Sequence, residues 1–113
     1  MNFIKYFKDF EYIENKKDCW TFVQKIFKDE HNFILPDAPI VSNNGDIATF
    51  LIGNIKLEEI KEAKEGCIVY YMHEKIHHAG YCLNNKEFIH KTKNGVIVSK
   101  IPKNAIIYKV LND

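Results

Sequence analysis

CIVYYMHEKIHHAGYCLNNKEFIHK, residues 67–91, concentrates β-branched and aromatic residues in three short runs, Cys67 to Met72, His78 to Leu83 and Glu87 to Lys91. Polar residues separate the runs, so the stretch predicts consecutive antiparallel strands rather than a helix. Downstream, Val96 to Ile101 and Ala105 to Val110 repeat the pattern and bring the expected count to five strands. Upstream the period changes. Leu57 and Ile60 share one face of a Glu- and Lys-rich segment, Leu57 to Lys64, which predicts a short surface helix. Pro36, Pro39, Asn43, Asn44 and Gly45 mark a crossing loop, with a turn of helix expected around Ile47 to Leu51. Asp18 is a natural N-cap for a helix with Trp20, Val23, Ile26 and Phe27 on an apolar stripe, ending near His31. Phe3, Phe7 and Phe10 recur at helical spacing and predict a shorter amphipathic helix before it. Helices followed by a run of strands indicate an α+β fold, with the Asp18 helix packed on one face of a curled five-stranded antiparallel sheet.

The chain has 113 residues, and 46% of them are hydrophobic. That supports one core and a single domain over 1–113. Sixteen basic and fifteen acidic residues leave a formal charge of +1, which draws the chain to neither nucleic acid nor an anionic membrane. Cys19, Cys67 and Cys82 are odd in number and lack CxxC spacing, so neither a disulfide scaffold nor a zinc ribbon is expected. Lys5, Lys8, Asp9, Glu11 and Glu14 interrupt the first apolar residues. No signal peptide or membrane span is expected, and synthesis in the cytoplasm follows as an expectation.

Cys19 directly follows the Asp18 cap, which puts its sulfur at the positive end of a helix dipole beside free backbone N–H groups. Such a site is expected to favour thiolate over thiol and to offer donors to an oxyanion. His78 opens one strand and His90 closes the next, with Asn84 and Asn85 between them. Because side chains alternate across a sheet, the two histidines share a face only if the connecting loop has an odd number of residues. A three-residue loop would let His90 orient His78 as a base toward Cys19.

Asp18-Cys19-Trp20 opening a helix, His78-Ala79-Gly80 opening a strand and Phe88-Ile89-His90 closing the hairpin resemble NlpC-type cell-wall peptidases. Glu65 to Tyr71 and Gly95 to Ser99 resemble the strands on either side. The resemblance spans roughly Asp18 to Tyr108 and implies a papain-like fold. It also implies hydrolysis of amide bonds in peptidoglycan stem peptides, with Cys19 as nucleophile, His78 as base and His90 as third catalytic residue. No cofactor or metal is implied. Asp18, Trp20 and Tyr12 are the substrate-binding positions it suggests, Tyr12 standing at shorter spacing from the cysteine than the family's tyrosine. Cys67 stands where the family usually carries Asp. Asp18-Cys19-Trp20 with Leu35-Pro36-Asp37 looks most like phage tail-associated members, which implies a phage tail or secretion partner for delivery to the cell wall.

Other readings compete. His73-Glu74-Lys75-Ile76-His77 matches HExxH, which binds zinc when the segment is helical, but its place between two strand patterns predicts a hairpin loop. A non-catalytic phage-tail or binding module, or a thiol hydrolase acting on a different amide, would share the same fold. Cys67 and Cys82 read as buried strand residues, Trp20, Phe22 and Phe27 as core or groove wall. The lysines from Lys91 to Lys103 read as a solvated edge.

Overall fold

The computed structural model describes residues 2–8, 18–36, 56–73 and 76–111. Phe10, Tyr12, Asp37 and the turn expected over 47–51 lie outside the described residues. Helix α1 runs Cys19–His31 and starts in a capping box. Asp18 Oδ1 accepts from the Thr21 N–H at 3.1 Å, and Thr21 Oγ1 accepts from the Asp18 N–H at 2.9 Å. These bonds satisfy two of the donors that a helix start leaves open. The helix stops at Asn32, which takes the left-handed conformation at φ 51° that asparagine tolerates better than most residues. Cys19, Phe22, Val23, Ile26 and Phe27 follow the spacing of a single helical stripe, and with Trp20 they are buried.

Among the described residues, six strands form one open antiparallel sheet: β1 Leu57–Ile60, β2 Ile68–His73, β3 Ile76–Cys82, β4 Glu87–Thr92, β5 Gly95–Lys100 and β6 Ile106–Val110. Their order across the sheet is β1-β6-β2-β3-β4-β5. Five of the six match the expected strands to within two residues at each end. The sixth corrects the helix expected from Leu57 to Lys64: Leu57 to Ile60 pairs with Val110 to Ile107 as an edge strand, and Lys61 to Lys64 form bends and loop. Spacing of Leu57 and Ile60 suited a helix, but eight residues cannot sustain one alone. A partner strand from far along the chain supplied the alternative. The amphipathic helix expected at the N-terminus is, over the described residues, a five-residue 3-10 turn, Ile4–Lys8. Tyr6 is its buried residue; its hydroxyl donates to Asp29 at 3.1 Å, and its ring meets Phe22 edge-on.

Alternation gives the sheet two buried faces. Ile68, Tyr70, Ala79, Tyr81, Ile89 and Tyr108 pack against α1, while Val69, Cys82, Phe88 and Ile107 join Cys67 on the other face. At the entry to β2, Gly66 has φ +92°. Its N–H donates to Cys82 C=O, and the Cys82 N–H donates to Cys67 C=O. Gly66 and Cys67 thus stand opposite the single residue Cys82 in a glycine bulge, which requires that positive φ. Lys91 departs from the expected solvated edge: it is buried, whereas Lys93, Lys100 and Lys103 are exposed.

Candidate active site

Strands β3 and β4 part company where the histidines lie. Their ladder holds at Tyr81↔Ile89 and Cys82↔Phe88, whereas β4 stays paired with β5 as far as Thr92↔Gly95. Leu83 N–H donates to Glu87 C=O at 2.9 Å, which leaves Asn84, Asn85 and Lys86 as a three-residue loop. The odd count is the case that puts both histidines on one face, and neither asparagine of the loop takes the left-handed conformation that commonly closes such turns. Asn84 Oδ1 instead accepts from the Lys86 and Glu87 N–H groups, both at 2.8 Å, and pins the turn with a side-chain bond.

With that register, His78, Gly80, Phe88 and His90 share the face away from α1. His78 Nε2 lies 2.6 Å from His90 Nδ1. The rings meet edge to face, with centroids 4.8 Å apart. Gly80 makes the approach possible. A Cβ there would fall 2.5 Å from a Phe88 ring carbon and 3.0 Å from His90 Cβ, closer than atoms pack. The bare backbone admits the Phe88 ring, which stacks on His90 at 4.2 Å and 16°. Phe88 is fully buried and His90 only 4% exposed. Burial, then the charge of His78, depress the His90 pKa to about 3, so this ring is a neutral imidazole at physiological pH. On its far side His90 Nε2 lies 2.9 Å from Ser99 Oγ, on β5.

Cys19 reaches β3 at Ala79, next to His78 and beyond the last paired residues of β3 and β4. α1 packs against both β3 and β4, and the backbone of Ala79, the residue after His78, favours the Cys19 thiolate, as do the backbones of Trp20 and Cys19 itself. Only a donor N–H acts in that sense on a thiol. Even so, the thiolate expected from the helix terminus is not the resting state. Burial outweighs the donors, the Asp18 charge works the same way, and the thiol is pushed up to about 11. At 8% exposure, desolvation of a full charge outweighs the field of one helix end.

Of the other expected positions, Asp18 is engaged in the cap, and Trp20 is buried with Nε1 donating to Pro36 C=O at 3.0 Å. Tyr12 lies outside the described residues. Two neighbours escaped the sequence reading. Tyr71 pairs directly across from His78, with ring centroids 5.3 Å apart. Its pKa is raised by burial and by the charge of Cys19, so the thiol lies within electrostatic reach of it. Ser99 is the second; it pairs across from Phe88 on β5, a register that the sequence did not reveal.

The HExxH reading loses its helix. His73 pairs with Ile76 and Met72 with His77 on two antiparallel strands, so the two histidines are not one helical turn apart. His77 stacks on Tyr70 and its Nδ1 is hydrogen-bonded to the Tyr70 hydroxyl. Among the described residues, no group of three His, Cys, Asp or Glu side chains is placed to hold a metal ion.

The family model described as NlpC/P60 matches residues 8–112, which include α1 and all six strands. No curated protein matches the chain in sequence.

Proposed function

Because the chain belongs to the NlpC/P60 family, we propose that it is a cysteine hydrolase that cleaves amide bonds in peptidoglycan stem peptides through Cys19, His78 and His90. The observation that carries this reading is the junction at Ala79. The same short segment of β3 presents a backbone N–H to the Cys19 thiol and the His78 ring to His90.

With His78 Nε2 turned to His90, Nδ1 is the nitrogen that serves Cys19. His78 Nδ1 takes the thiol proton as sulfur attacks the scissile carbonyl. This is general-base activation of a resting thiol, as the raised Cys19 pKa requires. Backbone N–H groups at the α1 N-terminus stabilise the oxyanion. The resulting imidazolium donates from Nε2 to His90 and from Nδ1 to the leaving amine, whose departure leaves a thioester on Cys19. Water then attacks the thioester with His78 as base, releasing the carboxylic acid and restoring the thiol. His90 supports the imidazolium as a neutral acceptor, not as a counter-charge.

Delivery to the wall by a phage tail or a secretion partner is the accompanying proposal, supported by the Asp18-Cys19-Trp20 and Leu35-Pro36-Asp37 segments alone.

Purified peptidoglycan incubated with the wild type, with Cys19→Ala, and with the wild type plus a chelator tests the reading by mass spectrometry of released fragments. Cleavage that survives chelation and disappears in Cys19→Ala is expected, and fragment masses identify the bond. Cleavage that persists in Cys19→Ala overturns the thiol mechanism. Absence of cleavage in every sample points to another amide or to a binding role.

A further inference from the structure

We propose that Ser99 is a positioning residue that accepts the Nε2 proton of His90 and so supports the His90 tautomer in which His78 is a base toward Cys19. The inference rests on the thiol-hydrolase reading above and deepens it. His90 is held on three sides: Phe88 stacks on its plane, His78 Nε2 stands 2.6 Å from Nδ1 and Ser99 Oγ 2.9 Å from Nε2. A neutral imidazole has one N–H and one lone pair, so only two arrangements of this chain exist.

In the first, His90 Nε2–H donates to Ser99 Oγ, His90 Nδ1 accepts from His78 Nε2–H, and the lone pair of His78 lies on Nδ1. In the second, the Ser99 hydroxyl donates to His90 Nε2, His90 Nδ1–H donates to His78 Nε2, and Nδ1 of His78 already holds a proton. Only the first leaves His78 able to accept from Cys19. It is also the only one that survives the proton transfer. Once His78 becomes an imidazolium both its nitrogens are donors, and His90 must then accept at Nδ1, with its own proton on Nε2 against Ser99. The Ser99 acceptor therefore gains most when charge develops on His78, which is the condition for accelerating a reaction rather than merely stabilising the fold. Burial of His90 removes the alternative of a charged ring donating to both sides.

Two substrate-independent measurements test this on the full chain. Ring carbon and nitrogen NMR shifts of His90 in the wild type are expected to report the Nε2–H tautomer; an Nδ1–H tautomer overturns the proposal without any variant. Iodoacetamide alkylation of Cys19, located by mass spectrometry and followed against pH, is the second. Ser99→Ala is expected to slow alkylation near neutral pH about ten-fold, the worth of one ordinary hydrogen bond, and to move the profile to higher pH. Ser99→Thr, which keeps the hydroxyl on a strand that tolerates β-branching, is expected to restore it. A folded Ser99→Ala with unchanged tautomer and alkylation profile reduces Ser99 to packing and overturns the proposal. Should Ser99→Ala fail to fold, Ser99→Cys, with a weak acceptor of similar size, takes its place under the same criteria. Wild-type protein that shows both signatures yet leaves peptidoglycan uncut upholds Ser99 and overturns the substrate assignment.

Discussion

At its Cys82 end, strand β3 is laddered to β4, closed by a side-chain-pinned loop and bulged against Gly66 and Cys67; at its His78 end the same two strands separate and a helix terminus meets the gap. A buried cysteine sits at each end, and burial pushes both Cys19 and Cys82 up to about 11. Their resting acidity is alike, so acidity does not make one of them a nucleophile. Their neighbours differ. The Asn84 backbone favours the Cys82 thiolate, but Cys82 Sγ also donates to Asn84 C=O at 2.9 Å and the charge of Cys67 opposes ionisation, whereas Cys19 is favoured by three backbone groups, those of Ala79, Trp20 and Cys19 itself, next to the segment that carries His78. A thiol that donates to a carbonyl is held as a thiol; one faced by several donors gives up its proton more readily to a base.

The sharpest way to break the comparison is to exchange the two sulfurs for other groups. Cys19→Ala is expected to lower peptidoglycan turnover by at least about a thousand-fold, as removal of a nucleophile does. Cys82→Ser is expected to keep turnover within about two-fold while costing about 1 kcal/mol in urea unfolding. Equal losses from both would erase the distinction.

The next effect is steric. Gly80→Ala puts a methyl into the Phe88 ring at the point where the ladder fails, so Phe88 and His90 must move together. An activity loss on the order of a hundred-fold is expected from a shift of about 1 Å, with a stability loss of about 1–3 kcal/mol from overpacking. Retained kcat at lowered stability would mean that His90 follows Phe88 less closely than their stacking implies.

The smallest effect is electrostatic. His90 titrates at about 3 when folded, against an ordinary value of 6.5. Between those values the unfolded chain binds the extra proton, so stability present above pH 6.5 is lost as pH falls toward 3. The slope from this residue is at most about 1.4 kcal/mol per pH unit. Urea unfolding between pH 4 and 7 is expected to show this component in the wild type and to lack it in His90→Gln. An unchanged profile in His90→Gln would assign the acid sensitivity to other groups.

Much of this arrangement was legible in the residues. α1 was legible at both ends because capping and stripe agree, and five strands were legible because composition and turn residues agree. Parity stated the condition under which His78 and His90 share a face, and the three-residue loop closed by Leu83 and Glu87 meets it. β1 was not legible, because four residues with apolar ends fit either period and its partner lies far along the chain. Ser99 and Tyr71 were hidden for a related reason. Each reaches the site across a strand pairing, and an isolated serine or tyrosine in a strand pattern gives no sign of what lies opposite. The ionisation of Cys19 was misjudged because helix-end donors are visible in sequence, whereas the depth of burial that overrides them depends on how α1 seats between β3 and β4. Lys91 was hidden in the same way: a lysine in a basic stretch gives no indication that its strand position faces inward.

The place of β6 has a consequence in time as well as in space. β2 to β5 follow one another in hairpins, so their rungs close short loops and can form early. β1 has no neighbour among them. Among the described residues it pairs only with β6, which lies between it and β2, so β1 joins the rest of the sheet through the last strand described. Until β6 docks, the rim of β2 stays open as an unpaired edge, the kind of surface on which two nascent chains can join by mistake.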